Sequence, residues 1–79
     1  MAEHIKAPNA SGAFLRDTRL RLGMSQTEAA WAIGCSVSSL GRYERSGIPA
    51  GILVGRAFRI CKAYGISTDK LFGLACTEA

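Results

Sequence analysis

Two helix starts lie close together in the middle of this chain, with a glycine between the helices they open. Ser25 is followed three residues later by Glu28. That spacing makes a capping box, in which each side chain takes up the free backbone amide of the other residue. Gln26, Ala29, Ala30 and Ile33 then fall on one helical face. Gly34 closes this helix and permits a sharp turn, and Ser36 caps the next one. In that next helix Leu40 and Tyr43 point inward, which leaves serines and arginines, Ser38 and Arg42 among them, on the outer face. The stretch from Ser25 to Arg45 therefore reads as two short helices about a tight turn, the first with small residues where the second must lie close.

The flanks carry further helices. The first runs from about Ser11 to Leu22, with Ser11 or Asn9 as its cap, Gly23 as its stop, and Leu15 and Leu22 as its inner stripe. Arg16, Asp17 and Arg21 face outward from it. Arg45 to Pro49 reads as a loop. A fourth helix follows from about Ala50 to Tyr64, with Leu53, Ala57, Ile60, Cys61 and Tyr64 as its apolar stripe. Ser67 caps a fifth short helix with Asp69 in its positive first turn, and Gly73 ends it. No repeat and no strand-like alternation occurs, so the fold class is all-α with five compact helices. Residues 1–10 read as a flexible N-terminal arm, 11–73 as one folded domain and 74–79 as a short tail.

The residue inventory excludes several classes of function. With 79 residues the chain holds one domain at most, and its core is small enough for dimerisation to help. The three cysteines, Cys35, Cys61 and Cys76, form no Cys-x-x-Cys pair, and the one histidine, His4, lies in the arm. Neither a metal site nor a disulfide framework is expected, which points to a reducing, cytoplasmic setting. No catalytic set, phosphate-binding glycine loop, cofactor motif, signal-peptide core or membrane-spanning run is present, so the chain does not read as an enzyme. The net charge of +4 suits a polyanionic partner. Arg42 and Arg45 lie in the two-helix motif, and Arg56 and Arg59 follow soon after. An arginine on an outward helix face can donate two parallel bonds to guanine O6 and N7, while a serine can bond a base edge or a phosphate.

The pattern then continues over several elements. Arg19 with Leu22-Gly23-Met24-Ser25-Gln26, then Ala30, Ile33-Gly34, Leu40, Arg42-Tyr43-Glu44, Pro49, and Tyr64 through Phe72 resemble, in order and spacing, the lambda-repressor-like (Cro/repressor, XRE) family of helix-turn-helix DNA-binding proteins. The resemblance covers residues 13–72. It implies a five-helix lambda-repressor-like domain whose third helix enters the major groove of double-stranded DNA, acting as a homodimer, as a repressor, on a near-palindromic operator. By the same resemblance Val37, Ser38 and Arg42 contact bases, and Gln26, Thr27, Ser36 and Arg45 hold the backbone. Arg19 and Glu44 form a structural ion pair, and Phe72 and Leu74 lie at a dimer surface.

The chain departs from the family pattern at Ala29, where leucine is usual, at Trp31, where a polar residue is usual, and at Gly41 inside the third helix. Its loop glycine, Gly47, comes one residue late, and the span from Pro49 to Gly65 is longer than usual. Trp31 either packs on the long helix four of its own chain, the favoured reading, or marks a contact with a protein partner. Two alternatives follow. One is an antitoxin-type autorepressor that also binds a protein partner through Trp31 or the tail. The other is an interaction module that has lost DNA binding. Cys35, beside the turn, reads as a plain small residue and not a redox switch, which would need an exposed thiol of lowered pKa.

Overall fold

The computed structural model describes residues 8–78, so the first seven residues of the expected arm lie outside the described residues. Five helices follow one another: α1 (Ser11–Arg21), α2 (Gln26–Ile33), α3 (Val37–Ser46), α4 (Val54–Tyr64) and α5 (Thr68–Ala75). The capping box is in place, with Ser25 Oγ accepting from the Glu28 amide at 3.0 Å and Glu28 Oε1 accepting from the Ser25 amide at 2.8 Å. Gly34 turns the chain at φ 82°, a left-handed conformation that glycine adopts without steric cost. Ser36 and Ser67 accept the amides of Ser39 and Lys70, which starts α3 and α5 at the expected residues. Among the described residues no helix is long and apolar enough to cross a membrane.

Leu15, Ile33, Leu40, Ile48, Ile60 and Leu71 are fully buried, one from each helix and one from the α3–α4 loop. Each such side chain contributes about 1.5–3 kcal/mol by leaving water. Tyr43, Cys61, Tyr64 and the small residues Ala29 and Ala30 fill the space between them. α1 packs chiefly on α3, and the closeness of that crossing depends on Gly12. A β-carbon there would lie 2.8 Å from the Glu44 carbonyl oxygen and 2.9 Å from that of Tyr43. On the other side of the core Lys70 of α5 lies over the Phe14 ring of α1, 5.6 Å from its centroid.

The structure corrects the expected boundaries in four places. Leu22 is half exposed and Leu15 alone of the expected pair enters the core, because α1 ends at Arg21 and the chain turns at Gly23. α4 begins at Val54, not Ala50, and Leu53 is an exposed N-cap with no part in the buried stripe. Pro49 and Gly51 favour a turn over a helix, and the Ile52 amide closes that turn on the Pro49 carbonyl at 3.1 Å. α3 in turn continues to Ser46, one residue beyond the expected start of the loop. α5 runs through Gly73 to Ala75, where Leu74 is half buried and Ala75 packs on the core, so burial outweighs the weak helix propensity of the glycine.

The end of the expected arm is fastened down. Ala10, neither Asn9 nor Ser11, holds the N-cap position of α1 and has no capping side chain; Asn9, one residue before it, accepts the Ser11 amide on its Oδ1 at 3.1 Å. Asn9 also donates its own amide to the Ser46 carbonyl at 3.0 Å and its side-chain nitrogen to the Ile48 carbonyl at 3.1 Å. The buried Ser11 hydroxyl donates to Asn9 Oδ1 and accepts the Ile48 amide at 2.8 Å. The Ala10 amide reaches the Thr77 carbonyl at 2.7 Å, and Asn9 pairs with Glu78 as an antiparallel bridge.

Candidate nucleic-acid interface

α3 is two-faced. Leu40, Tyr43 and Glu44 are buried, whereas Val37, Ser38, Arg42 and Arg45 are exposed together on the opposite side. The start of the exposed face is fixed by Ser36, whose Oγ accepts the Ser39 amide and donates to Ser39 Oγ, both at 3.0 Å. Arg42 Nη2 donates to Ser39 Oγ at 3.4 Å and leaves the other guanidinium donors free. Arg45 folds back over Gly41, where its Nη1 would lie 3.1 Å from a β-carbon. Thr27 is exposed at the start of α2.

The position of α3 is set by a buried polar network. Arg19 Nε and Nη2 donate to Glu44 Oε2 and Oε1 at 2.6 and 3.1 Å, a two-bonded ion pair joining α1 to α3. Arg19 Nη1 donates to the Met24 carbonyl at 3.0 Å, which ties in the α1–α2 turn. Gln26 is half buried, and its Nε2 donates to Glu44 Oε1 at 3.1 Å, so the residue expected at a phosphate has its amide on the ion pair. The bond to Glu44 raises the Arg19 pKa above its ordinary value despite burial. Tyr64 lies beside this network with its hydroxyl buried and unpartnered among the described residues. Burial, with the Glu44 charge adding to it, pushes the phenol up to about 12.

Trp31 corrects the sequence reading. It is 85% exposed and does not pack on α4. Helical geometry places it on the side of α2 away from Ala29, Ala30 and Ile33, which form the buried face. Phe72 is exposed and Leu74 half buried on α5, a different element from Trp31. Cys35 is half buried and its thiol is pushed up by burial, the opposite of what a reactive thiolate needs. No cluster of three potential metal ligands occurs among the described residues.

Two features were not legible beforehand. Asn9 and Ser11 organise the α3–α4 loop through bonds that span 39 and 37 residues, and neither residue advertises so distant a partner. Tyr43, read as an inward residue, has a hydroxyl that reaches Arg56 Nη1 at 3.2 Å. Arg56 stood in the sequence only as one more cation after the motif.

A family model described as a helix-turn-helix domain matches residues 11–71. Among curated protein sequences none matches. Of solved structures, the restriction-modification controller protein C.AhdI from Aeromonas hydrophila is similar at a TM-score of 0.68 and 27% identity, over 80% of this chain and 92% of that one. The clp gene regulator ClgR from Corynebacterium glutamicum is similar at 0.69 and 28%, over 86% of this chain and 70% of that one. A structure of the SinR protein/SinI protein complex shares the fold at 0.65 and 22%, over 76% of this chain and 57% of that one. Five helices of matching arrangement, a two-faced third helix and a family match over most of the length lead to one assignment: the chain belongs to the helix-turn-helix domain family, in its lambda-repressor-like, XRE-type DNA-binding branch.

Proposed function

We propose that the protein is a sequence-specific transcriptional regulator of double-stranded DNA, acting as a homodimeric repressor in the cytoplasm and without enzymatic activity. α3 lies in the major groove, with Arg42, Ser38 and Val37 at base edges and Gln26, Thr27, Ser36 and Arg45 along the backbone. The observation that carries this reading is the exposed face of α3, where Val37, Ser38 and Arg42 project together with no carboxylate among them. The similarity to C.AhdI and ClgR, a controller and a gene regulator by name, supports it. For Gln26 to take a phosphate, its amide must leave Glu44 or share its second N–H, which the half-buried site allows. The dimer surface is assigned to Phe72 and Leu74 on α5.

Selection of bound duplexes from a random pool at near-physiological salt tests the reading. An enriched near-palindrome with half-sites about one helical turn apart is expected. Arg42→Ala should cost about 1–3 kcal/mol and relax one base position. If a folded protein enriches nothing, the interaction-module reading takes its place. A second reading, an autorepressor that also binds a protein partner, is favoured by Trp31, whose indole is 85% exposed at a position of no use to the core.

A further inference from the structure

Between Ala29 and Thr68 the chain carries five cations and a single carboxylate. That carboxylate, Glu44, is taken by Arg19, so Arg42, Arg45, Arg56 and Arg59 have no acidic partner among the described residues. Arg56 differs from the other three because it is held by the core. Its Nη1 donates to the hydroxyl of Tyr43, whose ring is buried among the residues that fix α3. The position is a poor one for helix stability, since Arg56 lies in the first turn of α4, at the positive end of the helix, with no acidic residue beside it. The bond to Tyr43 ties Arg56 to α3, and the helix dipole gives it no help at that position.

Arg56 forms one wall of an open groove between α3 and the start of α4, about 560 Å³ in volume. Arg42, Ser39 and Ser46 of α3 line the facing wall, and Ile52 and Leu53 line part of its edge. A guanidinium has five donors in a planar fork that matches two phosphate oxygens. One of those of Arg56 is spent on Tyr43, which orients the fork and leaves the rest free. Hydroxyl groups on the facing wall and apolar side chains at the edge suit a phosphodiester with its sugar.

We propose that this groove seats a backbone phosphate of the bound duplex, taken by Arg56, and that Tyr43 is the residue that positions Arg56 for it. The proposal rests on the DNA-binding reading above. It places a backbone contact directly beside the base-reading Arg42, so that the two walls of one groove hold the strand and read it.

Affinity is measured on the selected site and on random duplexes over a series of salt concentrations, with folding of each variant checked by thermal unfolding. Arg56→Gln should weaken binding to every sequence, leave the base preference intact and make the slope of log K against log salt shallower by about 0.9, the loss of one phosphate contact. Arg56→Lys should keep the slope and bind less tightly than the native protein. Tyr43→Phe should weaken binding several-fold in the native background and add nothing in the Arg56→Gln background, a coupling that a merely structural tyrosine does not show. An unchanged slope in folded Arg56→Gln, while Arg42→Ala still loses its base, overturns the phosphate seat and leaves the DNA-binding reading standing. Equal Tyr43→Phe losses in both backgrounds overturn the positioning role. A native protein that binds no duplex overturns both the seat and the reading it rests on.

Discussion

Replacing Arg19 with methionine keeps most of the side chain's apolar stem and removes its charge, and the structure indicates how much that should cost. The Glu44 side chain is 4% exposed and takes two bonds from Arg19 and one from Gln26. Without Arg19 the carboxylate keeps only the Gln26 amide, and the Met24 carbonyl loses a donor as well. Breaking a buried pair from one side typically costs about 3–5 kcal/mol, because the remaining charge is left uncompensated. A domain of this length holds roughly 4–12 kcal/mol in all, so Arg19→Met should bring it near the edge of folding. Replacing both partners, Arg19→Met with Glu44→Leu, removes the stranded charge and should return the domain to within about 2 kcal/mol of the native protein. Urea unfolding of the native protein, of Arg19→Met and Glu44→Leu singly, and of the double variant measures each term through the shift in midpoint at constant slope. A single substitution costing under about 1 kcal/mol, or a double variant as unstable as the sum of the singles, would refute the account of this pair as a mutually dependent buried unit.

Further outcomes follow from other contacts. Gly12→Ala should destabilise by about 1–3 kcal/mol in urea, because its new methyl meets two backbone carbonyls of α3 that cannot move independently; no loss would mean that α1 and α3 separate freely. Gly41→Ala should stabilise by up to about 1 kcal/mol, since only the flexible end of Arg45 lies in the way; a loss of stability would show that the Arg45 head is fixed. The Tyr64 phenol, raised from 10 to about 12 in the fold, favours the neutral form, so its contribution is complete below pH 10 and is lost as pH rises through 12. Tyr64→Phe should remove that share of the alkaline decline in thermal stability and cost nothing at pH 7, since the hydroxyl has no partner to lose; an equal decline in both proteins would count against it. Trp31→Ser should change stability by no more than about 0.5 kcal/mol, as expected of a side chain off the core, and a large loss would contradict its exposure.

The parts of the fold read correctly from sequence are those with local causes. Ser25 with Glu28, Ser36 and Ser67 each start a helix by bonds that span three residues, so the chain itself displays them. The exposed face of α3 was legible for the same reason, since burial of Leu40 and Tyr43 fixes which way Ser38 and Arg42 point. The errors lie where a tertiary contact outweighs local preference. Gly73 does not stop α5 because Ala75 still has core to cover, and Leu53 misses the core because the turn at Pro49 delays α4. Packing of Trp31 on helix four, the reading favoured from sequence, fails because its angle on α2 points it away from the face that Ala29, Ala30 and Ile33 bury. The link between Tyr43 and Arg56 crosses a loop whose path periodicity does not specify.

The stitching around Asn9 has a consequence for how the chain can be cut and rejoined. Asn9 and Glu78 face each other as an antiparallel bridge, so a two-residue turn of the kind that closes a hairpin would join them into a ring. A circular permutant opened between Pro49 and Leu53, where the chain forms an exposed turn, would keep the α2–α3 unit, the Arg19–Glu44 pair and the Asn9 hub on one continuous strand of sequence. In such a molecule α4 and α5 leave the ribosome first and α3 last, with α1 and α2 between them, while the exposed face of α3 stays the same.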